Sequence, residues 1–252
     1  NNSSKDFLYE ICLVLQQDNN KLRCKFSENS LFNKPNIKII KSEIVGLARA
    51  RNLAINKADG SWLVFVDDDA IVDSKFFDTL NKAILENPDI KVFCGRILEK
   101  ETSRAYVKAF KKDHSFYLNL DDFNYFMGSN HIIHRVIFEK YGGYDEFFGV
   151  GAKFESAEET ELFFKLSYNG EKVLYLPNLI YYHPSSSTYP LHKVYLYRIG
   201  YGAVHAKAFL HYGGCYRYWR TFFRPILGYI IKYFLHAFSC NKKVIEDHFV
   251  LK

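Results

Sequence analysis

Three consecutive aspartates, Asp67, Asp68 and Asp69, follow five apolar residues, 62–66, with nothing polar between. Like charges at that spacing repel, and neither a strand nor a helix asks for them. Two chemistries account for them. Aspartates cap helices and close turns, where backbone N–H groups take up the carboxylates. Alternatively a divalent cation neutralises them: hard oxygen ligands suit Mg²⁺ or Mn²⁺, and such a cation suits a diphosphate. Three aspartates after a buried run favour the second. A second acidic centre lies at Glu158 and Glu159. Helical spacing puts Glu159 on the face of Leu162, Phe163 and Leu166, whereas Glu158 shares a solvated face with Glu161 and Lys165. Ser156 with Glu159 also fits a capping box, which would use the Glu159 carboxylate structurally.

The elements that position these residues alternate. Residues 36–41, NIKIIK, read as a short strand, and residues 46–58 as a helix with Leu47, Ala50, Leu53 and Ala54 on its apolar face and Arg49 and Arg51 apart from it. WLVFV is a buried strand, followed by a helix at 74–86 and a strand at 90–97. A strand within 125–135 leads into the helix RVIFEKY, then come a loop at 142–156, a helix at 157–168 and two strands, KVLYLP and LIYYH. This alternation predicts an α/β fold with a mostly parallel sheet covered on both faces, whose ligands lie beyond the carboxyl ends of its strands. At the N-terminus, Phe7, Ile11, Val14 and Leu15 recur at helical spacing behind Ser3 or Ser4 as cap, and residues 16–34 show no strand.

The 252 residues, 48% apolar and 17% aromatic, can bury a sizeable core, and a net charge of +6 favours polyanions such as nucleotide phosphates or an anionic membrane. The Lys and Arg residues are too dispersed for nucleic-acid binding to be expected. Five scattered cysteines form no CxxC pair, so no disulfide framework or zinc ribbon is expected and a reducing cytoplasm fits. No apolar run approaches the roughly 18–20 residues of a membrane span, so neither a membrane span nor a signal peptide is expected.

GLARARNLAINKADGSWLVFVDDDAIVDSKFFDTL resembles the central block of family-2 glycosyltransferases of the GT-A (Rossmann-like) fold: a G-x-x-x-ARN-x-A helix, an A-x-G turn and a strand ending in D-x-D. GSNHIIHRVIFEKYGGYDEFFG and AEETELFFKLSYNGEKVLYLPNLIYYHP are similar to that family's two later blocks, so the resemblance covers residues 36–185. It implies a metal-dependent, inverting transfer from a nucleotide sugar, in the style of bacterial surface-polysaccharide enzymes, with UDP-sugar favoured and dTDP-sugar possible. It implies that Asp67 contacts the nucleoside, that Asp69, with Asp67, holds Mn²⁺ or Mg²⁺, and that Asp68, Arg51 and Asn52 complete the nucleotide pocket; His183, which closes the last strand, is either a further metal or phosphate ligand, as an imidazole can be, or a polar surface residue. Glu159 takes the place of the general base, as Glu rather than the usual Asp, with Asp145 as the spare acidic candidate. Gly128, Ser129, Asn130 and Glu158 fall on the acceptor side.

The resemblance implies a catalytic domain at 1–185, with a nucleotide-sugar half at 1–98 and an acceptor half at 99–185, and the change in composition beyond it predicts a helical, basic and aromatic region at 186–252. The family's two N-terminal strands are expected to be missing, as from a truncated chain. Residues 218–238 mix Arg and Lys with large aromatics, as an interfacial helix on the inner face of the plasma membrane would, beside a glycan or lipid-linked acceptor. The Q-x-x-R-W motif of processive members is lacking, so single additions of a hexosyl or N-acetylhexosaminyl unit are expected. The alternatives are a catalytically weakened homologue that binds glycan or membrane, and a two-metal nucleotidyltransferase.

Overall fold

The computed structural model describes residues 8–16, 34–185, 191–211, 227, 228 and 231. Strands β1 (Ile11–Gln16) and β2 (Ile37–Ser42) form a parallel pair, with Ile11 opposite Ile37. A larger sheet contains β3 (Trp62–Val64), β4 (Ile71–Val72), β5 (Val92–Glu99), β6 (Phe116–Tyr117), β7 (His131–His134) and β8 (Val173–His183). Its order is β3-β7-β5-β8-β4, with β6 also pairing β8. The helices are α1 (Leu47–Lys57), α2 (Phe76–Glu86), α3 (Arg135–Tyr141), α4 (Glu158–Tyr168) and α5 (Leu191–His211), with 3-10 turns at Lys108–Lys111 and Leu120–Tyr125. Two compact units divide the chain, Asn1–Val204 and His205–Lys252, and the first carries all the strands described.

The α/β reading holds, but the larger sheet is mixed rather than mostly parallel. β5 and β8 run parallel, whereas β7 inserts antiparallel between β3 and β5, and β4 and β6 join β8 antiparallel. The expected N-terminal helix is also replaced: ICLVL is a continuous apolar run that pairs as β1, so a strand is present where none was expected. WLVFV was expected to be buried throughout, yet β3 is the end strand of its sheet and Val66 beyond it is 44% exposed. KVLYLP and LIYYH merge into the single strand β8, whose register against β5 slips between Gly95 and Arg96. Pro177 falls in that slip, where its missing N–H breaks no ladder bond. Residues 1–7, 17–33, 186–190 and nearly all of 212–252 lie outside the described residues, and with them the interfacial-helix expectation. Among the described residues no helix is long and apolar enough to cross a membrane.

Strand β5 is the centre of the core: Val92, Phe93 and Cys94 are fully buried, as are Ile132 and Ile133 beside them on β7. Gly95 is required at the register slip, because a Cβ there would sit 2.2 Å from the Leu179 carbonyl oxygen. The slip is tied to a turn at 127–130: the Gly95 N–H donates to Asn130 O at 2.8 Å, and Asn130 Nδ2 donates to Gly95 O at 2.7 Å. In this way the core fixes the height of Gly128.

Candidate active site

Arg51 is the hub of the site. Helix α1 buries Ala48, Arg51 and Ile55 at positions i, i+3 and i+7, so Arg51 lies on the buried face rather than apart from it. Its guanidinium, 8% exposed as a residue, donates to Glu158 Oε1 at 2.7 Å, to Gly128 O at 3.0 Å and to Asp67 Oδ1 at 3.3 Å. Its central carbon also stands 5.4 Å from the centre of the Tyr144 ring. Four chain segments therefore meet on one cation. The planar fork of five donors suits this better than an ammonium.

The two glutamates of α4 exchange the surroundings expected of them. Glu158, expected in solvent, is 4% exposed and paired with Arg51, and Glu161 is 2% exposed. Glu159 is only half-buried and opens onto a cavity of about 290 Å³ with Val107, Phe123, Asn124, Phe126, Met127 and Tyr201. Desolvation first, and then the neighbouring Glu158 carboxylate, which is also hydrogen-bonded to it, push the Glu159 carboxyl well above the usual range. The capping box is not formed. Ala157 is the N-cap residue in the left-handed region (φ 68°) with no side-chain cap bond, and the Ser156 hydroxyl instead donates to Tyr197 O at 3.2 Å. For a residue with a Cβ that backbone costs roughly 1–2 kcal/mol. The kink at Ala157 immediately precedes the buried Glu158.

Beyond β3 the aspartate run turns toward the end of β8. His183 Nε2 lies 3.2 Å from Asp69 Oδ1 and 3.9 Å from Asp67 Oδ2, whereas Asp68 is exposed. His183 Nδ1 is 3.0 Å from the Pro184 carbonyl, a partner that only accepts, so Nδ1 carries a proton and Nε2 faces the carboxylates. Desolvation raises the Asp67 pKa, Arg51 and His183 oppose the shift, and Asp69 and Glu158 add to it. Two carboxylates and an imidazole are a donor set that fits Mn²⁺ or Mg²⁺. Among the described residues no three such side chains already stand in metal-binding positions.

The other expected site residues hold the frame. Asn52 Nδ2 donates to Tyr144 O at 2.9 Å and its Oδ1 accepts from Tyr144 N at 2.8 Å, so its amide is occupied by the loop that follows α3. Arg49 pairs with Glu146 at 2.9 Å, and Leu47 N donates to Val150 O at 2.9 Å, fastening the same loop to α1. Asp145 accepts from Phe147 N at 2.9 Å as a turn residue. Of the expected acceptor residues, Asn130 is fully buried and bonded to Gly95, Tyr125 and Met127, Ser129 is 3% exposed, and Gly128 presents its carbonyl to Arg51.

Sequence reasoning missed Tyr144, His131, Phe123 and Tyr201. Imidazole His131 is sandwiched between Phe65 and Phe126, with centroids 4.7 and 4.6 Å away, and its Nδ1 lies 2.7 Å from Met127 O. Nδ1 therefore donates, Nε2 accepts from the Tyr144 hydroxyl, and burial lowers the imidazole pKa to about 3. The visible signal was a histidine inside the apolar run of GSNHIIH; nothing marked its partner.

In three dimensions the chain is similar to S. aureus TarS, with TM-score 0.59 and 18% identity over 81% of this chain and 35% of that one. It is similar to TarS 1–349 in complex with UDP-GlcNAc at TM-score 0.61 and 17% identity, over 82% and 60% of the two chains. For TarS 1–349 in complex with UDP the values are 0.58 and 18%, over 82% and 58%. The chain thus spans between about a third and 60% of these proteins' length. No curated protein matches it in sequence. The model of glycosyl transferase family 2 matches residues 1–142, more than half of the sequence, and the chain belongs to that family.

Proposed function

We propose that the chain transfers a single sugar, with inversion, from a nucleotide-sugar donor, UDP-sugar before dTDP-sugar, to a hydroxyl of a glycan or lipid-linked glycan. One observation carries this reading: Arg51 joins Asp67 of the aspartate run to Glu158, the residue beside a half-buried Glu159 that opens onto a cavity. Asp67 on the donor side and the residue beside the candidate base thereby share one cation. The TarS structures with UDP-GlcNAc and UDP bound support the donor class.

In this reading Glu159 removes the proton from the acceptor hydroxyl as that oxygen attacks the anomeric carbon from the side opposite the leaving diphosphate. Asp69, Asp67 and His183 would hold a divalent cation, which when bound supplies positive charge against the diphosphate. Arg51 sets the positions of Asp67 and of Glu158 beside the base. The test is release of nucleoside diphosphate from a panel of nucleotide sugars with and without Mn²⁺. Release by wild type and not by Asp69→Ala supports the reading; release that is indifferent to both Mn²⁺ and Asp69 overturns the metal's part in it. A chain that binds and consumes no donor is not a transferase.

A further inference from the structure

The expected acceptor residues are used up by the frame: Asn130 in the core, Glu158 on Arg51, and the Gly128 carbonyl on the same guanidinium. The side chains that do face open space beside Glu159 come from three other places. Phe123 and Asn124 belong to the 3-10 turn Leu120–Tyr125, Phe126 and Met127 follow it directly, and Tyr201 belongs to α5. We infer that the cavity of Phe123, Met127, Tyr201 and Glu159 is the acceptor subsite, and that it takes one neutral sugar ring. This rests on the transferase reading above.

Three features specify the ligand class. The first is size. About 290 Å³ lies at the small end of the ~300–1,000 Å³ typical of ligand pockets, which suits one ring rather than a chain of them. The second is wall chemistry: the Phe123 and Tyr201 rings, 6.1 Å apart at 54°, touch one another and form one aromatic wall, against which a C–H face of a sugar packs while its hydroxyl edge meets a polar group. Asn124 and Glu159 are that polar edge, and the Tyr201 hydroxyl is already bonded to Thr160. The third is charge. Among the described residues of the lining, Glu159 is the only carboxylate, and no Lys or Arg stands with it. A phosphate or uronate would meet a carboxylate with no cationic partner, whereas recognition of such anions relies on Arg or Lys.

The α5 contribution is built in. Gly200 lies so close to Ser156, immediately before α4, that a Cβ would fall 2.0 Å from Ser156 Oγ, and Ser156 bonds to Tyr197 O. That close approach seats Tyr201 beside α4. Tyr201 and Glu159 come from beyond residues 1–142, the part that the family model matches, and they meet Phe123, Asn124 and Met127 from within it.

The experiment uses the whole chain and four probes: methyl β-glucopyranoside and methyl β-galactopyranoside as neutral rings, methyl β-glucuronoside and glycerol 3-phosphate as anions. Binding of each is read by saturation-transfer NMR, and UDP binding by calorimetry on the same samples. A neutral glycoside is expected to bind, with at least ten-fold loss in Phe123→Ala and recovery in Phe123→Tyr. Anions binding as well as or better than the neutral rings, or Phe123→Ala binding like wild type, overturns the assignment. Failure of wild type to bind UDP overturns the transferase reading by itself, and the glycoside result then still decides for or against the neutral-ring cavity.

Discussion

Arg51 and Glu158 form a buried ion pair, 2.7 Å apart, between residues 107 positions distant in the sequence. The same guanidinium reaches the first aspartate of the run that follows β3. Helix α1 therefore does not simply lie beside the site. It supplies the cation on which the donor-side carboxylates and the helix of the candidate base are both set.

Removing one partner leaves a buried charge unpaired. Arg51→Met or Glu158→Leu alone is expected to cost about 3–5 kcal/mol, while the double variant, which leaves no orphan, should regain most of that loss. Urea unfolding of the four proteins measures it. Additive losses would show that the pair is not coupled in the folded chain. UDP binding should not return in the double variant, because Asp67 would still lack its partner.

Acid should unfold the protein through His131. Its folded pKa, about 3, lies below the ordinary 6.5, so the neutral form belongs to the fold and the unfolded chain binds the extra proton. This contribution to stability is complete above pH ~6.5 and is lost as pH falls from there toward 3, at up to about 1.4 kcal/mol per pH unit. The urea midpoint of wild type should fall across that window. His131→Gln should be less stable at pH 8 and show a flatter decline; an equal decline would place the titrating group elsewhere.

What the sequence revealed and concealed divides along physical lines. Helix α1, the aspartate run and the α4 helix with Glu159 were legible because each is a local pattern of a few residues. The strand β1 was misread because Ile11, Val14 and Leu15 satisfy a helical period while also belonging to a continuous apolar run, and period alone does not separate the two. Glu158 and Glu161 were assigned to solvent because helical spacing puts them on one face with Lys165; the partner that makes burial of Glu158 tolerable lies on another helix. Strand direction was hidden too, since β7 reaches its place between β3 and β5 only in the folded sheet. The cavity wall at Phe123 and Tyr201 has no motif, because aromatic residues there look like any other core residues.

Gly143 should resist substitution although its backbone is not in the left-handed region. A Cβ at this position would fall 2.2 Å from Asn52 Oδ1, the atom that accepts from Tyr144 N. Gly143→Ala is therefore expected to displace Asn52, cost about 1–3 kcal/mol and loosen the loop that carries Tyr144. Thermal unfolding checks the cost. Combining it with Asn52→Ala checks the cause: the double variant should be no less stable than Asn52→Ala alone, and a further loss would locate the clash elsewhere.

Glu159 must lose its proton to act as a base, and the surroundings that identify it also make that harder. Desolvation and the adjacent Glu158 hold its pKa well above the usual carboxylate range, so the deprotonated fraction falls at a higher pH than it would for an exposed glutamate. The acid limb of kcat/KM should accordingly lie clearly above pH 4.5, with activity rising as pH increases through it. Asn124→Asp, a near-isosteric change at the exposed rim of the cavity, adds a like charge and should move that limb higher still. Glu159→Gln should keep UDP binding and lower transfer by at least 10²-fold, in line with the 10²–10⁴ usual for a positioned base. Transfer retained in Glu159→Gln would remove the residue from the mechanism. An acid limb at or below pH 4.5 in wild type would instead show that the group titrating in catalysis is not this half-buried carboxylate.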